Sequence, residues 1–140
     1  MLQRKASCQF LVVSCQKERM AKAFRDLIVW QRAIELTLAI YTLTEDLPRA
    51  EVYGLQSQMR RAAVSIASNI AEGSARGTRK DFKQFVCIAR GSSYELQTQL
   101  VIVSALEFGK PGKIAKAEAL SQEVGKMLSK LEEFLATRTS

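Results

Sequence analysis

The sequence predicts an all-α protein, an up-down-up-down antiparallel four-helix bundle. Apolar residues recur every three or four positions through four long segments, which is typical of amphipathic helices. The alternation of apolar and polar residues that marks a strand is not seen, and only two prolines and seven glycines interrupt the 140 residues. The apolar share of 47% excludes a wholly disordered chain. We expect one domain, formed by residues 20–140.

The first helix is predicted over residues 23–47, which contain neither Pro nor Gly, and Pro48 should end it. Two apolar stripes run along it, about 140° apart at 100° per residue. The first stripe is Leu27, Trp30, Ile34, Leu38 and Tyr41, and the second is Val29, Ala33, Leu36, Ile40, Leu43 and Leu47. Because a helix in a monomeric bundle needs one apolar face, two faces predict a further contact with a neighbouring chain.

The second helix is predicted over residues 54–71, with Gly73 as its C-cap. Thr78 is a good N-cap for the third helix, since Asp81 stands three residues later as in a capping box. This helix should reach Leu106, and Gly91 in its middle costs about 1 kcal/mol relative to Ala, which predicts a close helix approach there.

The fourth helix is predicted over residues 114–136, after a loop marked by two glycines and a proline. The apolar seams of the last three helices are spaced as core positions. They are Leu55, Met59, Ala62, Ile66 and Ile70; then Phe82, Phe85, Ala89, Ser93, Leu96, Leu100 and Val103; then Ile114, Ala117, Leu120, Val124, Leu128, Leu131 and Leu135. These seams predict one shared core.

Residues 1–19 differ in character from the rest of the chain. Basic residues precede a short apolar run at 10–13, and "VVSC", ending at Cys15, resembles a lipoprotein cleavage box. That run is too short for a convincing export signal. We therefore expect a flexible extension or a misassigned start, with Met20 opening the domain.

Several kinds of chemistry are excluded by residue types. The chain has no histidine, which removes Ser-His-Asp and Cys-His catalysis and the Glu-x-x-His metal motif. Neither a CxxC pair nor a GxxxxGK[ST] loop occurs. We expect no enzyme activity, metal or cofactor. Without an apolar run of about 18 residues, no membrane-spanning helix is expected either.

The three cysteines are Cys8, Cys15 and Cys87. An odd count does not form a disulfide framework and fits a reducing compartment, so a cytoplasmic location is expected. Cys87, on an apolar-rich helix, is expected to be a small buried hydrophobe.

Positive charge is concentrated in the middle of the chain. Of the net charge of +7, residues 1–19 contribute +3, and residues 54–94 contribute +5 from seven basic and two acidic residues. The candidate nucleic-acid-binding residues, here called the basic cluster, are Arg76, Arg79, Lys80, Lys83 and Arg90. Without interleaved aromatic residues, binding should be directed at the backbone. The alternative is a solvated face. Similarly, "GSARGTRK" is either a phosphate-holding helix start or a plain turn.

A polar seam accompanies the second helix. Its members, with an acidic residue of the third helix, are Arg61, Ser65, Asn69, Glu72 and Glu95. We interpret them as a structural network that fixes helix register or a subunit contact, with Arg90 as a candidate partner for Glu95, since a buried charge must be paired. The alternative is a catalytic carboxylate pair of Glu72 and Glu95.

Two stretches, "YGLQSQMRRAAVSIASNIAEG" and "ARGTRKDFKQFVCIARGSSYELQTQL", resemble the four-helix-bundle family of proteins encoded in intervening sequences of bacterial large-subunit ribosomal RNA genes. The upstream "FRDLIVWQRAIELTLAIYTLTEDLP" resembles the first helix of that family. The resemblance covers residues 24–106, and the fourth helix is compatible with it. Gln97 departs from the family pattern by removing an acidic residue.

The resemblance implies a homo-oligomeric ring of five protomers. The family also contains the accessory variability determinant of diversity-generating retroelements, which works with a reverse transcriptase and binds nucleic acid. Two functions therefore compete: an RNA- or DNA-binding oligomer, and a protein-binding adaptor, for example for a reverse transcriptase. The basic cluster favours the first, and the second apolar face of the first helix favours the other.

Overall fold

The computed structural model describes residues 24–137, which are helical throughout their regular elements and contain no strand. The four α-helices are α1 (Ile28–Thr44), α2 (Ser57–Ala75), α3 (Arg79–Ala105) and α4 (Pro111–Ala136). A 3-10 turn at Arg49–Glu51 and the segment Val52–Gln56, which is kinked at Gly54, join α1 to α2. The predicted extension at residues 1–19 lies outside the described residues.

The helices pack in a closed circuit. Helix α3 packs against α2 and α4, and α1 packs against the same two helices. Since only short loops join α2 to α3 and α3 to α4, consecutive helices run in opposite directions. The predicted all-α, four-helix architecture is confirmed. Within the described part of the chain, none of the helices is long and apolar enough to cross a membrane.

Helix α1 is shorter than predicted at both ends. Leu27, in an extended conformation, precedes it, and the helix ends at Thr44 instead of Leu47. Beyond Thr44 the backbone tightens, as Asp46 N donates to Leu43 O over 3.2 Å. Pro48 has no N–H to donate to Thr44 O and disfavours helical geometry at Leu47, so the helix does not continue past this turn.

The two apolar stripes of α1 have different environments. The stripe from Val29 to Leu47 is buried in the core. On the other stripe, Leu38 is 63% exposed and Tyr41 is 41% exposed, while Trp30 is half-buried. The sequence predicted two apolar faces on α1 without assigning the core to either, and the structure assigns it to the stripe from Val29 to Leu47. Leu27, Trp30 and Ile34 of the other stripe pack against this core while partly buried.

Gly73 does not cap α2, which corrects the prediction. The helix continues to Ala75, and Gly77 takes the left-handed backbone conformation, at φ 86°, beyond its end. Gly73 is instead buried against α3, where an added Cβ would lie 2.5 Å from Phe85 Cβ. Its missing side chain allows α2 and α3 to approach closely.

The predicted N-cap of α3 is confirmed, but the close helix approach predicted at Gly91 is not found. Thr78 Oγ1 accepts a hydrogen bond from Asp81 N over 3.1 Å, so Thr78 is the N-cap. Gly91 was expected at a close helix approach, but it is exposed and an added Cβ would meet no atom within 4 Å. The close approach between α2 and α3 lies at Gly73 instead.

Helix α4 begins at Pro111, three residues before the predicted start. Proline suits this position because its fixed φ matches the helix and its missing N–H has no partner in the first turn. The seams of α2, α3 and α4 supply most of the core, as predicted. The sequence did not indicate that Gln99 and Ser121 are also buried.

Candidate nucleic-acid interface

The basic cluster surrounds the junction of α2 and α3. Arg76 follows α2, three members lie in the first five residues of α3, and Arg90 lies farther along the same helix. The structure separates these five residues into arginines with partners inside the protein and lysines without them.

Arg79 joins the start of α3 to the end of α4. Its Nη2 donates a hydrogen bond to Phe134 O over 2.7 Å, and its guanidinium lies 4.7 Å from the centre of the Phe134 ring. The Nε atom is buried and has no hydrogen-bond partner in the described structure. Arg79 is therefore packed as a structural residue, and reversing its charge should also disturb the bundle.

Arg90 pairs with Glu132 of α4, and not with Glu95. Its Nη1 lies 2.7 Å from Glu132 Oε2, as an ion pair without hydrogen-bond alignment. Glu132 is only 18% exposed, so the pair is partly shielded from water. Glu95 instead accepts a hydrogen bond from Gln99 Nε2 over 3.3 Å. The prediction that Arg90 pairs with Glu95 is wrong, because the acceptor comes from another helix.

Cys87 is exposed, which contradicts its predicted burial. The preceding residue, Val86, occupies the core position, and one residue along a helix rotates the side chain by about 100°. Cys87 Sγ donates to Glu132 Oε1 over 3.0 Å. This hydrogen bond, reinforced by partial burial, raises the pKa of the Cys87 thiol, so the reactive thiolate is disfavoured.

We expect Glu132→Gln to speed alkylation of Cys87 by iodoacetamide at about pH 8, because removing the carboxylate lowers the pKa of the thiol. Rates are measured by mass spectrometry in a chain carrying Cys8→Ser and Cys15→Ser. Glu133→Gln, which changes the neighbouring exposed residue, is the matched control. Equal rates in the two variants would contradict this account of the thiol.

Arg76 is held more loosely than the other two arginines. Its Nη2 lies 3.0 Å from Glu72 Oε1, and both side chains are about half exposed, at 53% and 54%. Its guanidinium also lies 5.0 Å from the centre of the Phe85 ring. Exposed ion pairs contribute little to stability, so an anionic ligand can displace Glu72 at small cost.

Lys80 and Lys83 are the unpaired cations of the basic cluster. Lys80 is exposed and Lys83 is half-buried, and neither forms a hydrogen bond or ion pair within residues 24–137. Both stand in the first turns of α3, where the helix dipole adds positive potential. These lysines are the best-placed groups of the cluster for an anion.

The glycine-bounded loop before α3 is an ordinary helix start. Thr78 Oγ1 accepts from Asp81 N, and Thr78 O accepts from Phe82 N over 3.0 Å. The Asp81 carboxylate also occupies the first turn and competes with an external anion. The geometry therefore favours the plain turn among the two interpretations of "GSARGTRK".

The polar seam of α2 is divided. Asn69 Nδ2 donates to Ser65 O over 2.8 Å and to Ser65 Oγ over 3.0 Å, and Ser65 Oγ lies 3.0 Å from Ser92 Oγ of α3. This small network couples α2 to α3, and sequence reasoning missed Ser92. Arg61 and Glu72 are exposed and do not take part in it. The sequence analysis treated the charges of Arg61 and Glu72 as buried and in need of a partner, which is wrong because both side chains are exposed.

The structure gives no support to a catalytic carboxylate pair. Glu72 pairs with Arg76 and Glu95 accepts from Gln99, so the two carboxylates have separate partners. Nor does the described part of the chain contain three His, Cys, Asp or Glu side chains placed to hold a metal ion.

Comparison with known proteins gives a family and a fold. The family described as 23S rRNA-intervening sequence protein matches residues 25–130. Among solved structures, a protein of unknown function from the S23 ribosomal protein family of Bacteroides thetaiotaomicron has a TM-score of 0.70 and 22% identity. The match covers 76% of this chain and 99% of that one. No curated protein matches the chain significantly.

Proposed function

The chain belongs to the 23S rRNA-intervening sequence protein family, and from this membership and the geometry of the basic cluster we propose that it is a non-enzymatic protein that binds the RNA backbone. The observation that carries the proposal is the unpaired state of Lys80 and Lys83 beside the loosely held Arg76. Residues 54–94, around them, carry a net charge of +5. Glu132 of α4 offsets one of these charges at Arg90, and the exposed cations that remain attract a polyanion.

The proposal assigns different roles within the basic cluster. Lys80, Lys83 and Arg76 contact phosphates, while Arg79 and Arg90 hold α3 against α4. Phosphate contacts of this kind give affinity that depends on salt and little on base sequence. Neutralising the lysines is therefore a cleaner test than reversing the charge of the arginines.

We expect the double variant Lys80→Gln/Lys83→Gln to weaken RNA binding and to reduce the slope of log affinity against log salt by about 1 per lysine. Fluorescence anisotropy with labelled ribosomal RNA fragments at several salt concentrations measures both quantities. The matched control is Lys126→Gln/Lys130→Gln, which removes two exposed lysines of α4. An unchanged slope in the first variant would remove the basic cluster from the interface.

The second part of the proposal is assembly into a homo-oligomer, for which the five-membered ring of the family is the expected form. Its support is the second face of α1, where Leu38 remains 63% exposed although its stripe is apolar. Leu38 also lines a groove between α1 and α4 together with Ala119 and Leu120, and the charged side chains of this groove are Glu35, Lys113, Lys116 and Glu123. A neighbouring chain is the simplest cover for this surface.

A protein-binding adaptor is the second candidate function. Its specific support is on the later half of α3, where Tyr94 is 58% exposed and Val101 is 65% exposed. Large apolar side chains exposed in a row along one helix are typical of interaction surfaces. An oligomer that binds no RNA and retains a protein partner through α3 would favour this candidate.

A further inference from the structure

A groove at the start of α2 holds an arginine in a fixed orientation. Arg60 Nε donates a hydrogen bond to Thr44 Oγ1 over 2.9 Å, and Thr44 is completely buried. The Arg60 guanidinium lies 4.5 Å from the centre of the Tyr41 ring. Two contacts from α1 therefore hold this guanidinium in place.

The other nitrogens of Arg60 are available to a ligand. Within residues 24–137 neither Nη atom has a hydrogen-bond partner, and no carboxylate pairs with Arg60 or with its neighbour Arg61. Arg61 is exposed and lines the same groove of about 600 Å³. A guanidinium that lines a groove with both terminal nitrogens unpaired is suited to bidentate binding of a phosphate or carboxylate.

Exposed aromatic side chains accompany this groove. Tyr41 lines it, and Tyr53, next to the lining residue Val52, is 96% exposed. Arginine together with aromatic faces is typical of sites for single-stranded nucleic acid, where phosphates meet cations and bases stack on rings. Beside the basic cluster the rings of Phe85 and Phe134 are covered by Arg76 and Arg79. This groove adds the ring of Tyr53, which is almost fully exposed.

The groove is continuous with the basic cluster along α2. Arg61 and Arg76 are about 22 Å apart at 1.5 Å per residue and within about 60° on the helix surface. Between them on this face lie Ser65 and Asn69, which are polar and partly exposed. Two acids border the path: Glu72, paired with Arg76, and Glu95, which lines a depression with Arg61. One strand can therefore contact both ends.

We propose that the Arg60 groove binds a phosphodiester of single-stranded RNA, with Tyr53 stacking on an adjacent base. The inference rests on the proposed function, because the same strand would continue to the basic cluster. Exposed aromatic rings and continuity with a positive surface favour RNA over an acidic protein segment as the occupant. Bidentate contact from Arg60 fixes the position of the phosphate, and Arg61 adds charge.

The test compares a single-stranded uridine oligomer of about 12 nucleotides, within the span covered by single-strand-binding sites, with a paired RNA duplex of equal length. Tyr53→Ala should weaken binding of the single strand by about fivefold to a hundredfold and leave duplex binding unchanged. Arg61→Gln and Arg60→Lys should also weaken single-strand binding. Arg60→Lys retains the charge, so its salt dependence should match that of the unmodified protein.

The variants are chosen to separate folding from binding. Arg60 contacts Tyr41 and Thr44, so thermal unfolding followed by circular dichroism accompanies its titration. Tyr53 and Arg61 are exposed and their removal should leave the fold intact, which keeps the test decisive if Arg60→Lys is unstable. The α4 double variant Lys126→Gln/Lys130→Gln is again the control for a change of surface charge.

Each outcome supports or overturns the inference. If RNA binds, Lys80→Gln/Lys83→Gln weakens it and all groove variants bind normally, the groove inference is wrong and the proposed function stands. If the unmodified protein binds neither RNA, both are wrong. If a labelled oligoglutamate peptide binds through Arg61 while RNA does not, the groove is a protein-docking site and the inference is overturned.

Discussion

Gly73→Ala should lower the free energy of unfolding by about 1–3 kcal/mol, whereas Gly91→Ala should raise it by about 1 kcal/mol. The two substitutions are chemically identical and both lie inside α-helices. At Gly73 the new Cβ would lie 2.5 Å from Phe85 Cβ and 3.0 Å from Phe82 Cδ2. Phe85 Cβ is attached directly to the backbone and cannot rotate away, so α2 and α3 must separate.

Gly91 is the matched control because nothing lies within 4 Å of a Cβ added there. The only remaining effect is the better helix propensity of Ala, which favours the folded chain. Urea unfolding of both variants measures the difference, at a fixed protein concentration because assembly would add to stability. If both alanines stabilise the protein equally, the close approach at Gly73 is not a constraint on the bundle.

The sequence predicted the helices and the core because both depend on local periodicity. The seam of α1 from Val29 to Leu47 repeats at helical spacing, and every member is buried. Cys87 and Gly91 were assigned wrongly for a different reason. Both lie two residues from Ala89, about 200° around the helix, so the predicted seam of α3 already placed them away from the core and neither assignment made use of it.

The candidate site was predicted as a cluster, but its internal partners were not. Arg79 donates a hydrogen bond to Phe134, which lies 55 residues later in the chain. Arg90 forms an ion pair with Glu132, which lies 42 residues later. Arg60 contacts Thr44, 16 residues upstream. Such contacts depend on how α1 and α4 dock onto α2 and α3. Spacing along one helix therefore finds the charges but cannot separate packed arginines from free lysines.

Arginines and lysines have different roles within the basic cluster of this bundle. Arginine has a planar group that can satisfy a carbonyl and cover an aromatic ring at once, as Arg79 does at Phe134. Lysine carries a compact, strongly hydrated charge that remains at the surface, as at Lys80. In this protein the five charges of the basic cluster therefore overstate the charge that is available to a ligand.

Leu36→Ala should lower the free energy of unfolding by about 2–5 kcal/mol, whereas Leu38→Ala should change that of the isolated chain by no more than about 0.5 kcal/mol. Leu36 is completely buried among the core residues of α1, so its truncation leaves a cavity. Leu38, two residues later, is 63% exposed on the opposite face. Urea unfolding at low protein concentration measures both.

For assembly, a substitution at Leu38 should have a larger effect than one at Leu36, which is the opposite of the order expected for unfolding. If the second face of α1 is covered by a neighbouring chain, Leu38→Glu places a carboxylate in an apolar contact and should shift the mass measured by light scattering from oligomer to monomer. The Leu36→Ala variant, while folded, should retain the oligomer mass, since Leu36 faces the core of its own bundle. An oligomer that survives Leu38→Glu unchanged would show that α1 is not the interface and that its exposed apolar face has another partner.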